Sequence, residues 1–261
     1  MSVLVVIPAR YASTRFPGKP LAMLGGESIV GRVWHAASAI EGVDKVLVAT
    51  DDERIYTHVN QLAGHEAAMM TSADHQSGTD RCGEVQNRLK ANGEHYDIVI
   101  NLQGDEPFVE ESQIKALIAS FEGSDNKVSI ATLRTPITST DELLSPNNVK
   151  VVCASDGKAL YFSRQPIPYQ RGVAQEDWTA GTTYYKHVGI YAFRANVLEE
   201  VCHLKPSTLE RCEKLEQLRW LEAGYTIKVC DTVHANIGID TPDDLAAAER
   251  HLAEMNKRTK Y

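Results

Sequence analysis

No two of the five cysteines in this chain stand in a Cys-x-x-Cys pair. Cys82, Cys153, Cys202, Cys212 and Cys230 form an odd, widely scattered set. Such a set builds neither a disulfide framework nor a zinc site, and it fits a reducing compartment. No apolar run approaches the length of a membrane-spanning helix. Met1 and Ser2 lead straight into an apolar strand, without the charged and apolar regions of a secretory signal. A cytoplasmic protein with no membrane partner is expected. Cations are also scarce: Lys+Arg 27 against Asp+Glu 35 gives a formal net charge of -8. That balance argues against nucleic acid as a partner. His-Glu-x-x-His and Gly-x-Ser-x-Gly are absent, as is any Cys/His pairing at ligand spacing, so Ser or Cys nucleophilic catalysis has no support. Neither the Walker A pattern nor Gly-x-Gly-x-x-Gly occurs, which removes the main support for NAD binding.

Against this acidic background one basic stretch stands out. Pro8-Ala9-Arg10-Tyr11-Ala12-Ser13-Thr14-Arg15-Phe16-Pro17-Gly18-Lys19-Pro20 follows an apolar run over residues 3–7. A first strand that empties into a loop facing a helix is where an open α/β sheet binds ligands. Arg10, Arg15 and Lys19 suit phosphate oxygens, small residues admit backbone N–H groups, and prolines stiffen the loop. Read alone, the stretch is either a polyphosphate cradle or a basic surface loop.

The rest of the first half alternates strand and helix. Helical spacing of Ile29, Val33, Ala36 and Ile40 predicts a helix over 28–41, followed by a strand over 45–49. Thr50-Asp51-Asp52-Glu53 opens a second helix, a strand covers 66–70, and a polar loop runs from 71 to 81 before a helix to about residue 90. A strand over 97–102, a helix over 112–121 and a strand over 128–133 complete the series. This order implies a mostly parallel α/β sheet with helices on both faces. The rhythm changes after Thr135. Residues 149–153 and 159–162 read as a hairpin around Asp156-Gly157, and 187–193 as another strand, so 136–193 forms an antiparallel insert and a place for a dimer contact. One helix over 209–223, a strand over 226–230 and a final helix capped by Thr241 follow, with Leu245, Ala248, Leu252 and Met255 facing the core. The 261 residues read as a single domain.

Four groups carry chemistry. Asp105, in the turn Gln103-Gly104-Asp105-Glu106-Pro107, reaches the sheet rim that faces the basic loop. A carboxylate beside a polyphosphate calls for a cation, and Mg2+ fits; a turn Asp bonded to its own backbone is the equal alternative. Asp240, before a capped helix, is by itself more simply an electrostatic complement to that helix. Ser77, Gly78, Thr79 and Arg81 offer hydroxyls and a close approach suited to the edge of a base, or they cap the helix that follows. Arg164, His187, Glu216 and Gln217 are, taken singly, a surface cation, a structural histidine and a polar helix face shared with Glu213 and Trp220.

The stretch from Ile7 to Leu21 resembles the N-terminal signature of the CMP-Kdo synthetases, the 3-deoxy-manno-octulosonate cytidylyltransferases, bacterial enzymes that activate an eight-carbon acidic sugar for lipopolysaccharide. Gln103 to Pro107, Leu160-Tyr161-Phe162-Ser163-Arg164, His187-Val188-Gly189-Ile190-Tyr191, Leu215 to Arg219 and Asp240-Thr241-Pro242 repeat the likeness in the family's order. The resemblance implies a Rossmann-like nucleotide-diphospho-sugar transferase fold, a homodimer, and CTP and Kdo as substrates. It implies Arg10, Lys19, Asp105 and Asp240 as catalytic residues, with Mg2+ held by the two acids. Pro8, Ala9, Arg10, Ser13, Arg15, Lys19, Asp51, Ser72, Ser77, Gly78, Thr79, Arg81 and Gln103 are then the nucleotide contacts. Gln103, Arg164, His187, Glu216 and Gln217 are the sugar contacts. The polar loop before Tyr184 departs from the family in length and composition and receives no function.

Overall fold

The computed structural model describes residues 1–12, 15–123, 128–234 and 237–258. The chain divides into two compact units, Met1–Glu111 with Asn236–Tyr261, and Ser112–Ala235.

In the first unit the central strand is β1 (Val3–Ala9). Val3, Leu4, Val5, Val6 and Ile7 are fully buried. A continuous apolar run hidden on both faces is what a central parallel strand requires. A short hairpin, β2 (Met23–Leu24) and β3 (Glu27–Ser28), leads into α1 (Ile29–Ser38). Then come β4 (Lys45–Thr50), α2 (Glu53–Ala63), β5 (Ala68–Met70), α3 (Gly78–Ala91) and β6 (Ile98–Asn101). β1 pairs in parallel with both β4 and β6, and β4 with β5, so the order is β6-β1-β4-β5. The expected alternation is therefore a parallel α/β sheet.

Side-chain caps set the helix starts. Ser28 Oγ accepts the Gly31 N–H at 3.1 Å, Asp52 accepts the Arg54 N–H at 3.0 Å, and Ser77 with Asp80 closes a capping box at α3. The second helix does not open at Thr50. The Thr50 carbonyl accepts the Thr71 N–H at 2.8 Å and stays in the strand ladder, so the helix begins after Asp52. The C-terminal helix, Pro242–Arg258, buries Ala248 and lays Leu245 and Leu252 against Leu24, Ile29 and Ile239. Its first three turns close that cluster, and Met255, expected in the core, is 38% exposed.

The second unit follows α4 (Glu111–Ala119) with β7 (Ile130–Pro136), α5 (Thr140–Leu144), β8 (Lys150–Cys153), β9 (Ala159–Ser163), α6 (Trp178–Gly181), β10 (Tyr185–Arg194), α7 (Ala195–Cys202), α8 (Thr208–Glu213), α9 (Gln217–Glu222) and β11 (Ile227–Asp231). β8 and β9 form the expected hairpin, with Val151 opposite Phe162. β10 pairs antiparallel with β8 and with β7, while β7 pairs in parallel with β11. Antiparallel pairing thus takes in β7, which begins before residue 136. The single helix expected over 209–223 is two. Lys214 takes a left-handed conformation, φ 55 and ψ 46, and the chain turns there. The helices α5, α6 and α7 were not expected from the sequence. Of these, α7 carries its apolar stripe on Val197, Leu198 and Val201, all buried.

Candidate active site

In the first unit the ends of β1 and β6 and the start of α3 enclose a crevice of about 370 Å³. Pro8, Ala9, Arg10, Arg15, Lys19, Gly78, Gln103, Gly104, Asp105 and Asp240 line it. Two glycines make the walls possible. A Cβ on Gly104 would stand 2.9 Å from the Pro8 carbonyl oxygen, so only glycine lets the Asp105 turn lie against the end of β1. A Cβ on Gly78 would stand 3.2 Å from Pro8 Cγ and 3.3 Å from Gln103 Nε2. Gln103 is itself held by a 2.9 Å bond from its Nε2 to Asn101 Oδ1.

Asp105 follows β6 by a few residues, as the sequence predicts. Asp240 does not follow a strand: residues 237–240 have no strand pairing. Its position comes from the Ile239 N–H, which donates to the Asp105 carbonyl at 3.1 Å, and from its own N–H, which Asp244 Oδ2 accepts at 3.0 Å. Ile239 is fully buried and anchors this contact.

The two carboxylates are not left to repel each other. Lys19 Nζ donates to Asp105 Oδ2 at 2.7 Å and to Asp240 Oδ1 at 3.1 Å, with only 12% of its side chain exposed. Arg15 reaches the other oxygen of Asp240 at 2.9 Å. Burial alone would lower the Lys19 pKa, but Asp105 and then Asp240 outweigh it and raise it above the ordinary value. The two acids aim oxygens at one cation position, which is the donor chemistry of Mg2+. Among the described residues no group of three or more His, Cys, Asp and Glu converges in this way. The remaining ligands of a magnesium ion would have to come from substrate oxygens and water.

The loop before α3 divides the expected nucleotide contacts. Ser77 caps the helix and Gly78 lines the crevice, whereas Thr79 is buried. Arg81 is fully buried and offers no surface to a ligand. Its guanidinium donates to Asp51 Oδ2 at 3.1 Å and to the Thr71 hydroxyl, so Arg81 and Asp51 bind each other and tie α3 to the ends of β4 and β5. Ser72 is exposed, its N–H on Glu84 and its Oγ accepting the Asp74 N–H. Arg10 lines the crevice and donates to the His75 carbonyl. Ser13 lies outside the described residues.

The expected sugar residues, other than Gln103, lie in the second unit. Arg164 directly follows β9, with Nε on the Glu213 carbonyl at 2.7 Å and one terminal nitrogen on the Pro146 carbonyl at 2.9 Å. Glu213 does not share a helical face with Glu216, because the turn at Lys214 separates them. Its carboxylate instead accepts the Ser163 hydroxyl at 2.7 Å and the Arg164 N–H at 3.0 Å. His187 stands 2.8 Å from Thr132 Oγ1, and burial pushes its pKa down to about 3, so its ring is neutral. Gln217 is buried at the start of α9. Tyr191 packs between His187, tilted against it, and Trp220, which it meets edge to face, and its pKa is raised by burial and by the charge of Glu216. Its hydroxyl is buried with no hydrogen-bond partner among the described residues. An orphaned buried hydroxyl beside His187 and Glu216 is a polar group a ligand would satisfy. Sequence alone assigns Tyr191 no role; its place in one motif with His187 is the available signal.

A rim crevice with three cations and an acid pair is built to hold an anionic, phosphate-bearing ligand. A family model described as Cytidylyltransferase matches residues 4–228. The chain is 52% identical to 3-deoxy-manno-octulosonate cytidylyltransferase of Phocaeicola vulgatus, over 97% of this chain and 98% of that one. It is 51% identical to the protein of the same name from Bacteroides thetaiotaomicron, with the same coverage. A solved structure of CMP:2-keto-3-deoxy-manno-octonic acid synthetase complexed with CTP superposes with a TM-score of 0.88 at 40% identity, over 98% of this chain and 100% of that one. The chain belongs to the 3-deoxy-manno-octulosonate cytidylyltransferase family, as the sequence resemblance implied.

Proposed function

We propose that this protein transfers CMP from CTP to the anomeric hydroxyl of Kdo, giving CMP-Kdo and pyrophosphate for lipopolysaccharide synthesis. The convergence of Arg10, Arg15, Lys19, Asp105 and Asp240 on one crevice carries this reading. The hydroxyl oxygen attacks the α-phosphorus and gives up its proton to solvent, the bond to the bridging oxygen breaks, and pyrophosphate leaves with the electron pair. Such a reaction needs positioning and charge stabilisation more than a side-chain base. Arg10 and Arg15 meet the phosphate oxygens. Lys19 exchanges its carboxylate partners for phosphate as the nucleotide enters. Asp105 and Asp240, released from Lys19, would hold Mg2+, which would supply Lewis-acid activation of the hydroxyl and charge neutralisation at the phosphate. Gly78 and Gln103 form the wall on which the base and ribose rest.

For the sugar, Arg164 has guanidinium N–H groups left over to meet the carboxylate. Neutral His187, Tyr191, Glu216 and Gln217 supply hydroxyl partners. A pyrophosphate-release assay with CTP and a panel of sugar acids tests the assignment. Release with Kdo is expected; release only with sialic acid or an amino-substituted Kdo would overturn the substrate.

Among the described residues β9 pairs in a ladder only with β8, and Leu160 and Tyr169 are 63% and 73% exposed. An apolar edge of this kind suits a homodimer contact, and sedimentation showing only monomer would defeat it. The five cysteines are free, and no described helix is long and apolar enough to cross a membrane, which suits a reaction in the cytoplasm. Fractionation that recovers the protein with the membrane would contradict that location.

A further inference from the structure

Glu84 lies two turns into α3 and does not line the crevice, yet three groups converge on its carboxylate. Oε2 accepts the Ser72 N–H at 2.8 Å and meets His75 Nε2, while Oε1 pairs with Arg88 one turn further along. Arg88 also donates to the Met70 carbonyl at the end of β5, at 2.7 Å. Residues 72–75 of this loop are therefore strapped to α3 at Glu84, which is 16% exposed, between the ties that Thr71 makes to Arg81 and Ser77 to Asp80. Burial would push the Glu84 pKa up, but the Ser72 N–H, His75 and Arg88 outweigh it and hold it below the usual range. The strap reaches the crevice through one atom: the backbone carbonyl of His75 accepts Arg10.

We infer that Glu84 is a positioning residue for the nucleotide phosphates, fixing His75 so that its carbonyl holds the Arg10 guanidinium in the crevice. The inference rests on Arg10 as a phosphate ligand, proposed above. Arg10 has five N–H donors, and the bond to His75 leaves several for phosphate oxygens. A guanidinium already oriented loses less rotamer freedom when the ligand arrives, and that gain appears in nucleotide affinity and not in the chemical step.

Calorimetric titration of CTP tests this on wild type, Glu84→Ala, Arg10→Ala and the double variant, with melting curves as the folding control. Arg10→Ala should weaken CTP binding by about 10- to 100-fold, the range for a charge-assisted bond. Glu84→Ala should weaken it by roughly 3- to 10-fold, with kcat at saturating CTP and the sugar KM within about twofold of wild type. In the double variant the loss of Glu84 should add nothing beyond Arg10→Ala. If Glu84→Ala weakens CTP by the same factor in both backgrounds, Glu84 does not act through Arg10, and the inference fails while the phosphate reading stands. If Arg10→Ala binds CTP like wild type, the phosphate reading fails and the role of Glu84 falls with it. Should Glu84→Ala not fold, Glu84→Gln carries the same comparison.

Discussion

Lys19 gives the sharpest test of the site's electrostatics. Its ammonium lies 2.7 Å from an oxygen of Asp105 and 3.1 Å from one of Asp240. Those oxygens are therefore no more than about 6 Å apart, and without the ammonium they repel by roughly 3 kcal/mol at an effective dielectric of about 20. Asp240 is 46% exposed and keeps Arg15, so solvent and that second cation cut the cost to about 1–2 kcal/mol. Lys19→Met should then lower Tm by roughly 2–8 °C for a chain of this size. Asp105→Asn should also destabilise, because it takes a partner from a Lys19 that is mostly buried. The two together should not add. In the Lys19→Met background Asp105→Asn removes the repulsion and raises Tm. With Lys19 between the acids, relief of their repulsion by neutralising one of them appears only once Lys19 is gone.

Thermal melts at pH 7 to 9 suit the measurement. The Lys19 pKa is raised in the folded state, so its contribution is fully present below the unfolded value near 10.5 and is lost only as pH rises beyond it. High salt should shrink all the differences, since the Debye length falls to about 3 Å at 1 M. Mg2+ without nucleotide should raise the Tm of Lys19→Met more than that of wild type. If Asp105→Asn stabilises the wild type, or lowers Tm equally in both backgrounds, Lys19 is not the counter-ion of the pair.

Gly78→Val should weaken CTP binding by about tenfold or more while the fold survives at a cost of roughly 1–2 kcal/mol, because its Cβ alone presses on Pro8 and Gln103; unchanged affinity in a calorimetric titration would take Gly78 out of the nucleotide wall. Arg164→Ala should raise the KM of the sugar by about 10- to 100-fold and that of CTP far less. It should also lower Tm, since Glu213 and Pro146 lose a donor, and equal effects on both substrates would count against a carboxylate contact. His187 has a folded pKa of about 3 against an ordinary 6.5, so the unfolded chain takes up a proton that the folded one refuses. Stability should fall as pH drops from about 6.5 toward 3, by up to roughly 4 kcal/mol from this group, and His187→Gln should flatten that part of the curve; parallel Tm profiles for the two proteins would show that His187 is not the group responsible.

The features legible in the sequence were those written in local period and chemistry. The buried run of β1, the strand-helix alternation after it and the Asp156-Gly157 hairpin all declared themselves this way. So did Ser28 and Ser77, each a short polar side chain just ahead of a helix. The break at Lys214 did not, because lysine is a good helix former and no glycine or proline marks the turn. A readable hint was present upstream, where Ser207 and Glu210 make a capping box that starts a helix only six residues long. The burial of Arg81 is not legible for a different reason. A cation in a polar loop looks available, and only the tertiary approach of Asp51 and Thr71 turns it inward.

The acid pair joins both kinds of information. Asp105 reaches the rim by the strand rule, since β6 ends at Asn101 and the turn with Gly104 can press against Pro8. Asp240 reaches the same place by a route the pattern cannot describe. Ile239 is apolar, fully buried among Leu24, Ile29 and Ala248, and its N–H grips the Asp105 carbonyl. Asp244 then takes the N–H of Asp240 and of Thr241, and fixes the chain as it enters the C-terminal helix. The residue types needed for the site's charge were thus visible, but the one that delivers Asp240 is a hydrophobic neighbour. Packing sets that acid's position to within hydrogen-bond reach of Lys19, and the chemistry proposed for the pair depends on a core contact as much as on the carboxylates.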